Sequence, residues 1–151
     1  NIEDAYKFLK NKSTTEHRFE KVEIINGTRF INDSKSTNFH SVSSASERVK
    51  NALLIMHGIT KNIPTSELQL SNEIKKIIIP NDMNLDHNLF HCEVEVIKSI
   101  FELEDILKKD FQRFETVLFS CGGSSFNDFE NYIERGKFFK SIVKNLKGGQ
   151  N

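Results

Sequence analysis

The chain has 151 residues, 37% hydrophobic and 28% charged, with 13 Phe and no Trp. This is one domain of ordinary size, or two very small ones, with enough apolar material for a core, which argues against a disordered chain. Lys plus Arg and Asp plus Glu each total 21, so the net charge is zero. The basic excess of a protein that lives on nucleic acid or an anionic membrane is absent.

Residues 3–10 read as a short helix with Ala5, Phe8 and Leu9 on one side. The polar stretch 11–15 reads as a linker. Two β-like runs, 22–25 and 28–31, flank Asn26-Gly27, the strongest hairpin signal in the chain. Residues 32–38 carry loop chemistry, and Thr37 or Asn38 is placed to cap a helix over 39–50. The apolar run 52–56 suits a strand buried on both faces of a parallel sheet, ending at His57-Gly58. A short helix is expected over 66–70 and a buried strand over 75–80, stopped by Pro80. Residues 92–97 alternate as a strand does, and 101–111 space their apolar residues as a helix does. A third strong strand, 116–120, runs into Cys121-Gly122-Gly123-Ser124-Ser125 and a helix over 126–146, with Gly136 as an interruption. Strands alternating with helices predict an α/β fold with a mostly parallel sheet and one antiparallel element.

Cys92 and Cys121 lack CxxC spacing and read as reduced thiols of a cytosolic protein. No run approaches the ~18 apolar residues of a bilayer span, and the charged first 20 residues are no signal peptide. The chain is short for an enzyme holding a nucleotide and two further substrates, and it opens on Asn1 rather than Met. Both features are read as signs of a fragment.

In open α/β sheets ligands bind beyond the carboxyl ends of the strands. Three polar segments follow apolar strands here: 32–38, 57–61 and 120–125. Together they offer Asp33, Lys35, Thr37, Lys61, Ser124 and Ser125. Two lysines with hydroxyls and backbone amides suit carboxylates or phosphates; the bland alternative is three polar surface loops. No GxxxxGK[ST] phosphate loop or GxGxxG is present. His87 and His91, beside Cys92 and Glu93, form a weak metal candidate without the HExxH pattern. Cys121 is a weak nucleophile candidate with no named His partner.

The segments HRFE (17–20), NGTRFINDSKSTN (26–38), LLIMHGITK (53–61) and VLFSCGGSSFNDFENYIERGKFFKSIV (117–143) resemble, in order and spacing, the C-terminal domain of the Mur ligases, nearest to their D-glutamate-adding members. The resemblance covers nearly the whole chain. It implies a Rossmann-like domain with helices on both faces, spanning 16–147. Residues 1–15 would be the end of a central-domain helix plus a hinge, and 148–151 a tail. It further implies an ATP-dependent ligase joining D-glutamate to UDP-MurNAc-L-alanine, with ATP and Mg held mainly by a central domain absent here. Carried over residue by residue, Lys35, Thr37, Lys61, Ser125, Phe126 and Tyr132 match positions that contact D-glutamate, and Arg18 and Asp33 match positions that touch ATP. The resemblance also implies a cytoplasmic, monomeric enzyme with no nucleic-acid or membrane partner, and a fragment inactive alone. His57, Cys121-Gly122-Gly123 and Asn127 depart from the family pattern. A stand-alone anion- or amino-acid-binding module is the alternative; a folate-type ligase is disfavoured by NDSKSTN.

Overall fold

The computed structural model describes residues 2–10, 15–60 and 62–150. In chain order come α1 (Ile2–Lys10), β1 (Glu20–Ile25), β2 (Thr28–Asp33), α2 (Phe39–Ser46), β3 (Ala52–His57), β4 (Ile74–Pro80), β5 (Glu93–Ile97), α3 (Leu103–Asp110), β6 (Thr116–Gly122) and α4 (Tyr132–Gly148). The strands form one six-stranded sheet in the order β1-β2-β6-β3-β4-β5. β1 and β2 are antiparallel and every other neighbouring pair is parallel. The chain is thus the expected α/β, Rossmann-like domain.

The hairpin forms because Asn26 and Gly27 accept φ of 49° and 86°, the left-handed region a two-residue turn demands. Every residue of β3 is buried, as a strand covered on both faces must be. Its side chains alternate. Leu53 and Ile55 join Val117, Phe119 and the α3 and α4 residues Leu107, Phe139 and Ile142. Leu54 and Met56 join Phe39 and Val42 of α2 on the other face, with Phe8 of α1 packed at its margin. Phe119 and Phe139 stack with centroids 4.6 Å apart, fixing α4 across the sheet.

Four helix boundaries differ from the sequence expectation. The helix over 39–50 ends at Ser46. Beyond it Glu47 and Arg48 donate to Ser44 and Ala45, three residues back, and Asn51 turns the chain with φ of 42°. The helix over 66–70 is a single 3-10 turn, Thr65–Glu67, because the Gln69 amide leaves to bond the Ser43 hydroxyl. The 101–111 segment opens with a Ser99–Glu102 capping box on a 3-10 turn before α3 begins. The last helix starts at Tyr132, not at 126. Asn131 caps it by accepting from the Glu134 amide, and Asp128 and Phe129 both donate to the Ser125 carbonyl in a separate turn. Gly136 does not interrupt α4. It is needed there, because a Cβ would overlap the ring of His17.

Most of the predicted linker 11–15, together with Lys61, lies outside the described residues. Among the described residues no helix is long and apolar enough to cross a membrane.

Candidate functional site

The strands β2, β6 and β3 are neighbours, so the loops leaving their carboxyl ends meet at one edge. The Gly122 amide donates to the Ser36 carbonyl at 3.0 Å. Ile59 and Ser124 exchange two backbone bonds, at 2.9 and 3.0 Å. Gly58 sits at φ of 124° with its α-carbon against the Gly123–Ser124 backbone, where no side chain fits. That close approach is the work of the glycines in the run.

Arg135 ties the three loops together. It is fully buried on α4. Its Nε donates to the Ser34 hydroxyl at 3.0 Å and its Nη2 to the Ser34 carbonyl at 2.7 Å. Its Nη1 donates to the Gly123 carbonyl at 2.8 Å, and to the carbonyl and Nδ1 of His57, both at 3.2 Å. A guanidinium cannot accept, so His57 Nδ1 is the acceptor. The ring proton is on Nε2, which donates to Asp128 Oδ2 at 2.8 Å. Burial pushes the His57 pKa down, against the pull of Asp128. The departure at His57 is thus filled by a packed, neutral imidazole that braces the loops. Asn127 donates to Asp82 at 3.2 Å.

The expected substrate residues divide into groups. Asp33 is buried and accepts from the Phe19 amide at 2.9 Å and the Ser120 hydroxyl at 2.7 Å. Burial raises its carboxyl above the usual range, with those bonds and the nearby Arg48 and Arg18 pulling the other way. Arg18, Asp33 and Lys35 line a cavity of about 280 Å³, facing His40, Ser44 and Arg48 from the α2 side. The Lys35 ammonium lies 5.7 Å from the ring centroid of Tyr132. Tyr132 opens α4, its carbonyl held by the Ser34 hydroxyl at 2.7 Å. Ser125 is buried, whereas Thr37 and Phe126 stand exposed. Lys61 is outside the described residues, so its place relative to Lys35 is not described.

A second buried group supports this edge. Glu20 accepts from the His17 amide, Asn32 Nδ2 and Lys140 Nζ. His17 Nδ1 meets Asn32 Nδ2 at 2.9 Å.

The weaker candidates resolve differently. Burial pushes the Cys121 thiol up to about 12; it is a core residue with no thiolate for nucleophilic attack. His87 and His91 do not share a helix face, since only a 3-10 turn, His87–Leu89, lies there, and the His91 ring meets the Ile74 carbonyl. Among the described residues no three His, Cys, Asp or Glu gather to hold a metal.

Arg135 is the residue organising this edge that sequence reading passed over. A signal existed: positions 135, 139, 142 and 146 continue the buried stripe of α4, and an arginine on such a stripe needs buried acceptors.

No family model matches the chain. The UDP-N-acetylmuramoylalanine–D-glutamate ligase of Thermosipho africanus is 35% identical over 148 residues, covering 95% of this chain and 35% of that protein. The ligase of the same name from Thermosipho melanesiensis is 35% identical over 97% of this chain and 36% of its own length. That of Thermotoga maritima is 29% identical over 99% and 36%. The chain therefore spans about one third of the length of the curated relatives it matches. Among solved structures, a folylpolyglutamate synthase from Thermotoga maritima shares the fold, with a TM-score of 0.56 at 19% identity over 91% of this chain and 32% of that one. The resemblance carried by the motifs is thus borne out as a similarity of sequence: over nearly all its residues this chain is similar to about one third of the UDP-N-acetylmuramoylalanine–D-glutamate ligases.

Proposed function

We propose that the chain is the amino-acid-binding domain of an ATP-dependent ligase that adds D-glutamate to UDP-MurNAc-L-alanine in peptidoglycan precursor synthesis. In this reading 16–147 are the domain, 1–15 the end of a central-domain helix with its hinge, and 148–151 a tail. The enzyme is cytoplasmic and monomeric, and this piece alone is inactive. The observation that carries the reading is the convergence of three loops at one sheet edge, clasped by Arg135, with Lys35 and Tyr132 beside it.

D-glutamate is a dianion with one ammonium group. Lys35 and Lys61 offer cations to its carboxylates, and Thr37, Ser125 and the backbone at Phe126 offer hydroxyl and amide donors. The Tyr132 ring lies beside the Lys35 ammonium. ATP, with Mg held mainly by the central domain, supplies the phosphoryl group that activates the partner carboxylate. This chain's contribution is to hold the neutral amine in line with that carboxyl carbon, a positioning effect. Arg18 and Asp33 face the nucleotide when the domains close.

The test is kinetic and uses the intact enzyme. Lys35→Ala and Lys61→Ala should each raise the KM for D-glutamate by about ten-fold or more, since each removes a charge-assisted bond, with Tm unchanged for Lys35→Ala. Unaltered kinetics in both variants would remove the site assignment. Preference for L-glutamate on a folate substrate would instead favour the folate-type reaction.

A further inference from the structure

We propose that a cavity beneath α1, away from the three-loop edge, binds a small organic phosphate with an apolar body, and that an occupant pins α1 to the sheet. Binding itself is independent of the ligase reading. Its consequence rests on that reading, in which α1 leads through a hinge to a central domain, so that an occupant acts as an effector of domain movement. None of the positions carried over from the family lines this cavity.

Strand register places it. Arg29 and Thr116 line the cavity and form the first parallel pair of β2 and β6. The loops of the candidate site leave the last pair, Asp33 and Ser120, four residues further on and so roughly 13 Å away. Arg29 and Ile31 are two apart and share a face of the sheet, and Lys21 on β1 pairs with Ile31. Phe8 of α1 packs on the same face as Ile31. The Arg48–Phe19 stack borders both this cavity and the one at the Asp33–Lys35 edge.

The charge balance points to an anion. Lys21, Arg29, Arg48 and Lys50 line the cavity with one carboxylate, Glu115. None of the four makes a side-chain hydrogen bond or an ion pair with a described residue. Elsewhere Lys108, Lys137, Lys140 and Lys147 each hold a carboxylate. In a chain of zero net charge, four such cations around one hollow repel one another until an anion enters. Three are already oriented by rings. The Lys21 ammonium and the Arg29 guanidinium lie 5.5 and 5.6 Å from the Phe8 centroid, and the Arg48 guanidinium lies 3.7 Å from that of Phe19. Such contacts hold a cation without using its hydrogen-bond donors.

The walls define the rest of the ligand. Ile31 and Val49 are buried and, with Phe8, give the cavity an apolar side. Its volume is about 390 Å³, within the range of small-molecule sites, about 300–1,000 Å³. A phosphate monoester carries about −1.5 to −2 charges at pH 7 and three acceptor oxygens, which spread over several cations better than one carboxylate does. The apolar side favours a ligand with a ring or short chain over the inorganic ion. Because Phe8 belongs to α1, an occupant that touches it ties α1 to β1 and β2.

The experiment is amide NMR on the chain titrated with phenyl phosphate, inorganic phosphate and benzyl alcohol. Phenyl phosphate should shift the amides of Phe8, Lys21, Arg29 and Lys50 to saturation, with inorganic phosphate about ten-fold weaker and benzyl alcohol without effect. Arg29→Gln and Phe8→Ala should each weaken phenyl phosphate binding about ten-fold while the sheet amides stay in place. Lys109→Gln, which removes an exposed charge on α3, should leave it unchanged. Equal affinity for phenyl and inorganic phosphate, equal affinity in Arg29→Gln and the native chain, or a loss in Lys109→Gln as large as in Arg29→Gln overturns the site in favour of nonspecific charge. In the intact enzyme phenyl phosphate should alter the KM for D-glutamate, and Arg29→Gln should remove that response. Kinetics unmoved by saturating phenyl phosphate, or a response that survives Arg29→Gln, overturn the effector role. An intact protein that ignores D-glutamate while the chain binds phenyl phosphate removes the ligase reading and leaves the cavity assignment standing.

Discussion

Two buried cations stand at opposite ends of the sheet and are satisfied in opposite ways. Arg135, at the carboxyl end, donates to the Ser34, His57 and Gly123 carbonyls, the Ser34 hydroxyl and an imidazole nitrogen, with no carboxylate among these partners. Lys76, on β4 opposite the first residue of β5, faces three carboxylates: Glu95 at 2.8 Å, Asp110 at 3.0 Å and Glu93 at 3.5 Å. The first cation is held by dipoles and keeps its positive field. The second is neutralised on contact. A zero net charge therefore conceals an uneven distribution. Positive potential is kept at the edge where Lys35, Arg18 and Arg48 gather, and is cancelled around Lys76. An anion is favoured beside one of these two cations only.

Replacing each cation by methionine tests the contrast. Arg135→Met strands buried acceptors in three loops that cannot reach water. Each such group costs about 1–3 kcal/mol, so the variant should lose about 3–5 kcal/mol in urea unfolding or fail to fold. Lys76→Met leaves Glu93 and Glu95, which are 52% and 39% exposed and hydrate in place, and Asp110, which is 16% exposed and keeps its bond from Arg113. Its loss should be about 1–2 kcal/mol, since exposed partners of a broken pair are screened. Equal losses would show that the two cations play the same structural part and would break the comparison.

What the sequence revealed follows the same division. Strands were legible because their signals are local: the Asn26-Gly27 turn, the run at 52–56 and the run at 116–120 each name a strand without help from elsewhere. Convergence of the three polar loops was legible too, since β2, β6 and β3 are parallel and end together. The clasp was not. Arg135 meets Ser34 across 101 residues and His57 across 78, and His57 meets Asp128 across 71. No local pattern encodes such pairs. The start of α4 was misplaced for a related reason. Phe126 and Phe129 look like one apolar face, but Phe129 packs on His57, Phe101 and Phe138, whereas Phe126 is 71% exposed.

His57 sharpens the comparison through pH. Burial lowers its pKa below the ordinary 6.5, and burial lowers that of His17 as well. Folding thus favours the neutral rings. The stability they contribute is complete above the unfolded value, near 6.5, and is lost as pH falls below it toward the folded values. A protonated His57 would also turn the acceptor of Arg135 into a second cation. Unfolding free energy should fall between pH 7 and pH 5.5, and His57→Gln should make that fall shallower, by at most about 1.4 kcal/mol per pH unit for one proton. An unchanged slope would mean that His57 binds its proton equally in the folded and unfolded states and plays no part in the pH response.

The smallest effect is expected at Lys140, which stands between the two extremes. It is 29% exposed and bridges Glu16, which is 60% exposed, and Glu20, which is 7% exposed. Burial alone would raise the Glu20 carboxyl. Bonds from Lys140, the His17 amide and Asn32 outweigh it and hold the pKa below the ordinary value of 4.5. Such a group stabilises the fold above its unfolded pKa, and the contribution is lost as pH falls through the folded one. Lys140→Met leaves Glu20 with its two neutral donors, so the loss at pH 7 should be under about 1 kcal/mol and should shrink further in high salt. The acid limb of the stability curve should start at a higher pH in the variant, because Glu20 then protonates sooner. A loss as large as that of Lys76→Met would place Lys140 among the buried neutralised cations. A smaller one places it with the surface pairs, leaving Arg135 as the buried cation that holds the three loops together.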